Sequence, residues 1–200
     1  MTEKEMIDLA LAEGVSAAEM TDTKDIVFDP MFRPFCAENL CGQYGVNYCC
    51  PPDCGTPEEM KQRILAHKRA LVLHTIWEIP DISDNGLIKP AKKGHNAIQL
   101  RLQKKFHEAG IPGFLVGASG CGLCSPCHLK NGEPCPHPEA RYSCMSAYCI
   151  FVRKLAEHCG MDYDCGEGLL AFFGMYVFDK AKPPGSKAGR LTNPGIRSIV

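Results

Sequence analysis

Three cysteines at two-residue spacing, and a fourth a short loop later, stand in the run GCGLCSPCHLKNGEPC as Cys121-x2-Cys124-x2-Cys127-x7-Cys135. Thiols so spaced can converge on one inorganic core, and this is the central spacing of bacterial-type iron–sulfur runs. Such cores take soft thiolate ligands held at fixed angles. Gly117, Gly120 and Gly122 let the backbone come close and aim N–H groups at sulfur, and hydrogen bonds to sulfur tune the reduction potential. Pro126, Pro134 and Pro136 stiffen the wrapping loop. Cys135-Pro136 repeats the Cys-Pro ending of ferredoxin runs, with seven residues before it instead of three. Cys121, Cys124, Cys127 and Cys135 are therefore the expected ligands of one 4Fe–4S cluster. The competing reading is zinc, which four thiolates also suit. Zinc ribbons, however, usually set two CxxC pairs a dozen or more residues apart.

A second group lies earlier, in CAENLCGQYGVNYCCPPDC, with Cys36, Cys41, Cys49, Cys50 and Cys54. Five thiols in so short a stretch exceed what core filling needs. Cys36, Cys41, Cys50 and Cys54 are the expected ligands of a second cluster, with Cys49 able to replace one of them. A zinc site or unligated thiols are the other readings. Tyr44 and Tyr48 are expected to pack over this first site. Cys149 and Cys159 read as small buried thiols on the inner face of a helix. Cys144 is expected where that helix begins, a place that favours thiolate, which makes it the candidate for a reactive or substitute-ligand thiol. Cys165 reads as a turn residue. His128, Glu133, His137 and Glu139 crowd the later motif, either as proton carriers or as solvated loop residues.

Composition bounds the classes of function. The chain has 200 residues, 45% of them apolar, 13 cysteines and a formal net charge of −1. This describes a chain that buries a core, neither disordered nor built to bind nucleic acid. No apolar run approaches membrane-spanning length. The start, MTEKEMIDLALAEG, is acidic and amphipathic rather than a basic-then-apolar leader, so a cytoplasmic location is expected. There, clustered thiols more often hold metal than form disulfides, and an odd number cannot pair completely within one chain. No P-loop, GxGxxG or nucleophile elbow is present.

The elements that must carry these loops alternate. Helices are expected over 3–12, from the Thr56 cap to about His67, over 92–109, and from Ser143 to about His158. Strands are expected at Ile26–Phe28, Ala70–Trp77, Gly113–Gly117 and Leu169–Phe178. The fold class is then α/β or α+β, a small sheet of about four strands with flanking helices and two cysteine-rich loops. Residues 1–179 form the expected single metal-binding domain, and 180–200 a basic tail rich in Pro and Gly.

Cys36, Cys41, Tyr44, Gly45, Asn47, Cys50, Pro51 and Pro52, together with the later GCGLCSPCHLKNGEPCPHPE, resemble a prokaryotic family described only as predicted metal-binding proteins of unknown function. The resemblance runs from about residue 5 to 178 and includes the TPEE helix start. It implies a cytoplasmic metal-binding protein with Cys121, Cys124, Cys127 and Cys135 as ligands, and it supplies no reaction. The family pattern has Ser and Gly near Cys144 and Cys149 and an acidic residue at Ser146, so nothing of function carries over to that segment. The leading expectation is a 4Fe–4S protein that transfers single electrons to or from a redox partner protein, or supports a redox enzyme. The rivals are an iron–sulfur enzyme acting on a small molecule or sulfur species, and a zinc-stabilised interaction module.

Overall fold

The structure, a computed structural model, describes residues 1–179. The basic tail expected at 180–200 lies outside the described residues. Helix α1 (Glu3–Ala12) starts in a capping box between Thr2 and Glu5 and buries Met6 and Ala10. Strand β1 (Ala17–Asp22) and the short helix α2 (Arg33–Ala37) precede the first cysteine loop. Helix α3 (Pro57–Leu65) follows it, and strand β2 (Arg69–Glu78) follows that. Helix α4 (Asn85–Glu108) leads to β3 (Gly113–Gly117), the second cysteine loop, the two-residue β4 (Ser143–Cys144), α5 (Val152–His158) and β5 (Leu169–Phe178).

The fold is α+β, around one mixed sheet in the order β1-β2-β5-β3-β4. All pairs are antiparallel except β3 with β4. The ten-residue ladder from Arg69↔Phe178 to Glu78↔Leu169 is its spine. Successive side chains of a strand point to opposite faces, and both faces here are apolar. Leu71, Leu73, Tyr176 and Phe178 pack with Met6, Leu102 and Phe106 of α1 and α4. Ala70, Val72, Met175 and Val177 pack on the other face with Met60, Ile64 and Leu155 of α3 and α5. Fully burying one such large side chain contributes about 1.5–3 kcal/mol. Among the described residues, no helix is long and apolar enough to cross a membrane.

The sheet has five strands where about four were expected. β2, β3 and β5 fall where the sequence places them. Ile26–Phe28 is not a strand; Phe28 forms one isolated bridge with Ile150. β1, with the weakly strand-forming sequence AAEMTD, exists because β2 offers it a six-residue register. The expected helix from Ser143 does not form. Cys149 takes a left-handed φ of 55° and Ile150 pairs with Phe28, so the helix begins only at Val152. Apolar residues at helical spacing from Met145 onward thus serve a turn and an isolated bridge first. Helix α4 starts before Pro90, not after it, because Asp84 accepts a hydrogen bond from Gly86 N–H and caps it, while Ala91 and Ile88 pack on Phe172.

The start of α3 secures the exit of the first cysteine loop. Thr56 Oγ1 accepts from Glu59 N–H at 3.2 Å, and the Glu59 carboxylate accepts from Thr56 N–H at 2.8 Å. Thr56→Ala is expected to cost about 1 kcal/mol, read as a fall of about 2–4 °C in thermal melts.

Candidate metal centre

Both cysteine loops lie at the β3–β4 side of the sheet. The second one leaves β3 directly, and a buried polar row on α4 sets its course. Asn96, 4% exposed, accepts from Ala118 N–H at 3.0 Å and donates to Ser119 Oγ at 2.7 Å. The chain then passes Gly120 and wraps Cys121, Cys124, Cys127 and Cys135 around one cavity. Cys49, His128, His137 and Arg141 also line it. The cavity is narrow, about 20 Å³. His128 Nδ1 meets Glu133 at 2.9 Å, and Arg141 lies over the Tyr48 ring, 5.6 Å from its centroid. The Arg141 guanidinium beside the gathered sulfurs offsets the charge that ligand thiolates bring.

The first loop is docked by its own backbone. Asn47 donates to Cys121 O at 2.9 Å and accepts from Cys49 N–H at 2.9 Å. Tyr48 Oη donates to Glu133 O at 2.8 Å. Tyr48 therefore belongs to the later site rather than covering the first, as the sequence had suggested. Gly45 N–H donates to Pro51 O at 2.9 Å and closes the turn between Cys41 and Cys50. At its entrance, Arg33 of α2 donates to Gly55 O at 2.9 Å and to Ala147 O at 2.7 Å.

Adjacent cysteines face different sites. Cys49 turns to Cys121 in the later cavity, whereas Cys50 Sγ lies against Gly120. A Cβ on Gly120 would stand 2.8 Å from that sulfur, so a side chain there would fill the space the thiol uses. One peptide thus links two thiol groups. A hydrogen bond from Cys49 pushes the Cys121 thiol down, against burial and with help from the N–H groups of Leu123 and Tyr142. The same bond, then burial, pushes Cys49 up. Burial, then the charges of Cys121, Cys135 and Cys127, pushes Cys124 up.

The remaining thiols distribute unevenly. Burial raises Cys36 to about 11, with Cys144 the next contributor. Burial and then Cys144 also raise Cys50. Cys54 is 7% exposed, packs in the core with Met60 and Ile64, and accepts weakly from Arg33 Nη1 at 3.8 Å. Cys144 sits on an edge strand and not at a helix start, which corrects its expected setting. Cys149 is 1% exposed in a turn, not on a helix face. Cys159 ends α5 and packs against the core, and burial raises it to about 11. Cys165 is not in a turn as expected; it stands in irregular chain just before the Gly166–Leu169 turn, with Sγ 3.9 Å from His74 Nε2. Among the described residues, no three His, Cys, Asp or Glu side chains are drawn onto one point closely enough to hold a single ion.

The donor chemistry fits a soft metal. Cys49 and Cys50 are buried, backbone N–H groups face Cys121, and a glycine leaves room for Cys50. Loading would displace protons from these thiols. A family model described as "Predicted metal-binding protein (DUF2284)" matches residues 19–178. No curated protein and no solved structure matches the chain.

Proposed function

The chain belongs to this family of predicted metal-binding proteins, and on that premise we propose that the metal is iron, held with sulfide as 4Fe–4S clusters. One cluster takes Cys121, Cys124, Cys127 and Cys135. A second takes Cys36, Cys41 and Cys50 among its ligands. The observation that carries this reading is the gathering of the four motif thiols around one cavity, with Cys49 and Cys50 joining it to a second thiol group. Bound there, such a cluster supplies a store for single electrons.

The protein's own groups tune that store. N–H groups of Leu123 and Tyr142 share the charge on Cys121. Arg141 faces the same cavity, and positive charge beside a cluster raises its potential. Cys41 is exposed, and Met31, Phe35 and Leu40 near it expose 71%, 63% and 90% of their surface. An apolar rim beside a surface-near cluster suits brief docking of a redox partner protein. Electron transfer, or support of a redox enzyme, is the role this arrangement serves.

Purified without oxygen, the chain is expected to carry about eight irons and eight sulfides, and Cys124→Ser about four of each. Elemental analysis checks both. The narrowness of the later cavity, about 20 Å³, favours a zinc-stabilised module as the second reading. Zinc at one or two per chain, with no sulfide, would establish it and dismiss iron.

A further inference from the structure

Five thiols of the first loop compete for one site, and the docking of the backbone selects among them. Asp29 N–H donates to Cys149 O at 2.7 Å, Arg33 donates to Ala147 O at 2.7 Å, and Phe32 packs edge-on against Phe151 at 5.4 Å. These contacts seat the start of α2 on the segment that follows β4. Cys36 lies three residues beyond Arg33, on the same helix face, and is carried toward that segment. Cys50 Sγ rests on Gly120. Cys144 pairs with Gly117 in the β3–β4 register, and Met145 N–H donates to Gly117 O at 3.0 Å. Cys50 and Cys144 therefore meet the two ends of the same four-residue stretch, at Gly120 and Gly117. Cys41 is held near them by the Gly45–Pro51 bond and by Tyr44 N–H on Asn39 Oδ1 at 3.0 Å.

Helix α2, the turn that closes between Cys41 and Cys50, and strand β4 thus bring Cys36, Cys41, Cys50 and Cys144 to one end of the sheet. Backbone N–H groups of Ser146 and Ala147 also face the Cys144 sulfur. Such N–H···S contacts are what a metal-bound thiolate uses. Cys54, by contrast, has a guanidinium on one side and Gly55 O at 3.7 Å, and it lies within the buried core cluster that Cys144 only borders.

We infer that Cys144, delivered by the edge strand β4, completes with Cys36, Cys41 and Cys50 a four-thiolate metal site, and that Cys54 is not a ligand. The site then ties the N-terminal loop to the far end of the sheet. The inference rests on the preceding reading for the identity of the metal, and not for the ligand set.

The test compares Cys144→Ala and Cys54→Ala with the wild-type chain, all purified without oxygen, for iron and sulfide. The expected result is about eight irons in wild type and in Cys54→Ala, and about four in Cys144→Ala. Loss of four irons from Cys54→Ala, with or without loss from Cys144→Ala, overturns the assignment. So does a full complement in Cys144→Ala. If Cys144→Ala does not fold, Cys144→Ser is measured in its place under the same criteria. A wild-type chain with four irons or fewer sinks the two-cluster reading, and cobalt(II) added to metal-free protein then decides the ligands. Thiolate-to-cobalt absorption that weakens in Cys144→Ala and persists in Cys54→Ala upholds the site; the converse, or no change in either variant, removes it.

Discussion

Stripped of metal by a chelator, the protein is expected to keep its sheet and lose both cysteine loops. The β2–β5 ladder and the two apolar layers over it need no metal. The loops have little else. Residues 38–55 and 118–141 form no long regular element, and the cavity between them is lined in part by thiols. A structural metal site can be worth about 10–16 kcal/mol, measured in zinc-finger peptides, against about 5–15 kcal/mol for a whole domain. Even about 3 kcal/mol of that coupling lowers the melting temperature by about 6–12 °C in a chain of this size. Hydrogen exchange locates the change. Amides around Asn47, Cys50 and Cys121 are expected to exchange rapidly in the stripped form, while those of Leu71, Val72, Met175 and Tyr176 stay protected. Identical melts and identical exchange in both forms would show that the loops fold without metal.

Acidification from pH 7 to 4.5 is expected to remove about 2 kcal/mol through His95 alone. This side chain is 0% exposed, and burial, with His74 as a lesser cause, pushes its pKa down to about 4. Trp77 Nε1 donates to Thr75 Oγ1 at 2.8 Å, which leaves the Thr75 hydroxyl proton for His95 Nδ1, also at 2.8 Å. The ring is thus neutral, with its proton on Nε2, an atom without a hydrogen-bond partner among the described residues. The unfolded chain binds a proton at this residue from about pH 6.5 downward, and the folded one only near pH 4. Between those values the unfolded state holds more protons, so stability falls as pH falls, and it levels off below about 4. The carboxylates held low by ion pairs, Glu13 and Asp22, act further down the scale. Urea unfolding of metal-free wild type and His95→Gln at both pH values isolates the effect. A slope that is the same in both proteins would remove His95 as its source.

His95 belongs to a row with Asn96 and Gln99 that the sequence shows only as part of a helix. In the fold this row is buried and does positional work. Asn96 steers the entry to the second cysteine loop. Gln99 needs Gly174 opposite it, since a Cβ there would stand 1.8 Å from the Gln99 amide nitrogen. A polar stripe on an exposed helix looks the same in sequence, so burial alone reveals its role.

Much of the rest is legible from residues alone. The capping boxes at Thr2 and Thr56, the long apolar runs of β2 and β5, and the spacing of Cys121, Cys124, Cys127 and Cys135 are local statements. They depend on neighbours a few residues away, and so they survive into the fold. The family, too, follows from two local motifs. What the sequence could not decide are relations across distance. Cys144 leaves its expected helix because Ile150 finds Phe28, and it joins the edge of the sheet because Gly117 is there to pair with it. Cys49 and Cys50 are neighbours in the chain, yet only the docking of Asn47 on Cys121 O sends them to different sites. Spacing determines which thiols can share a centre by bending a short loop, because a few residues have few ways to close. Which distant thiol completes that centre depends on strand register and on the burial that pays for closing a long loop, and those terms exist only in the folded chain.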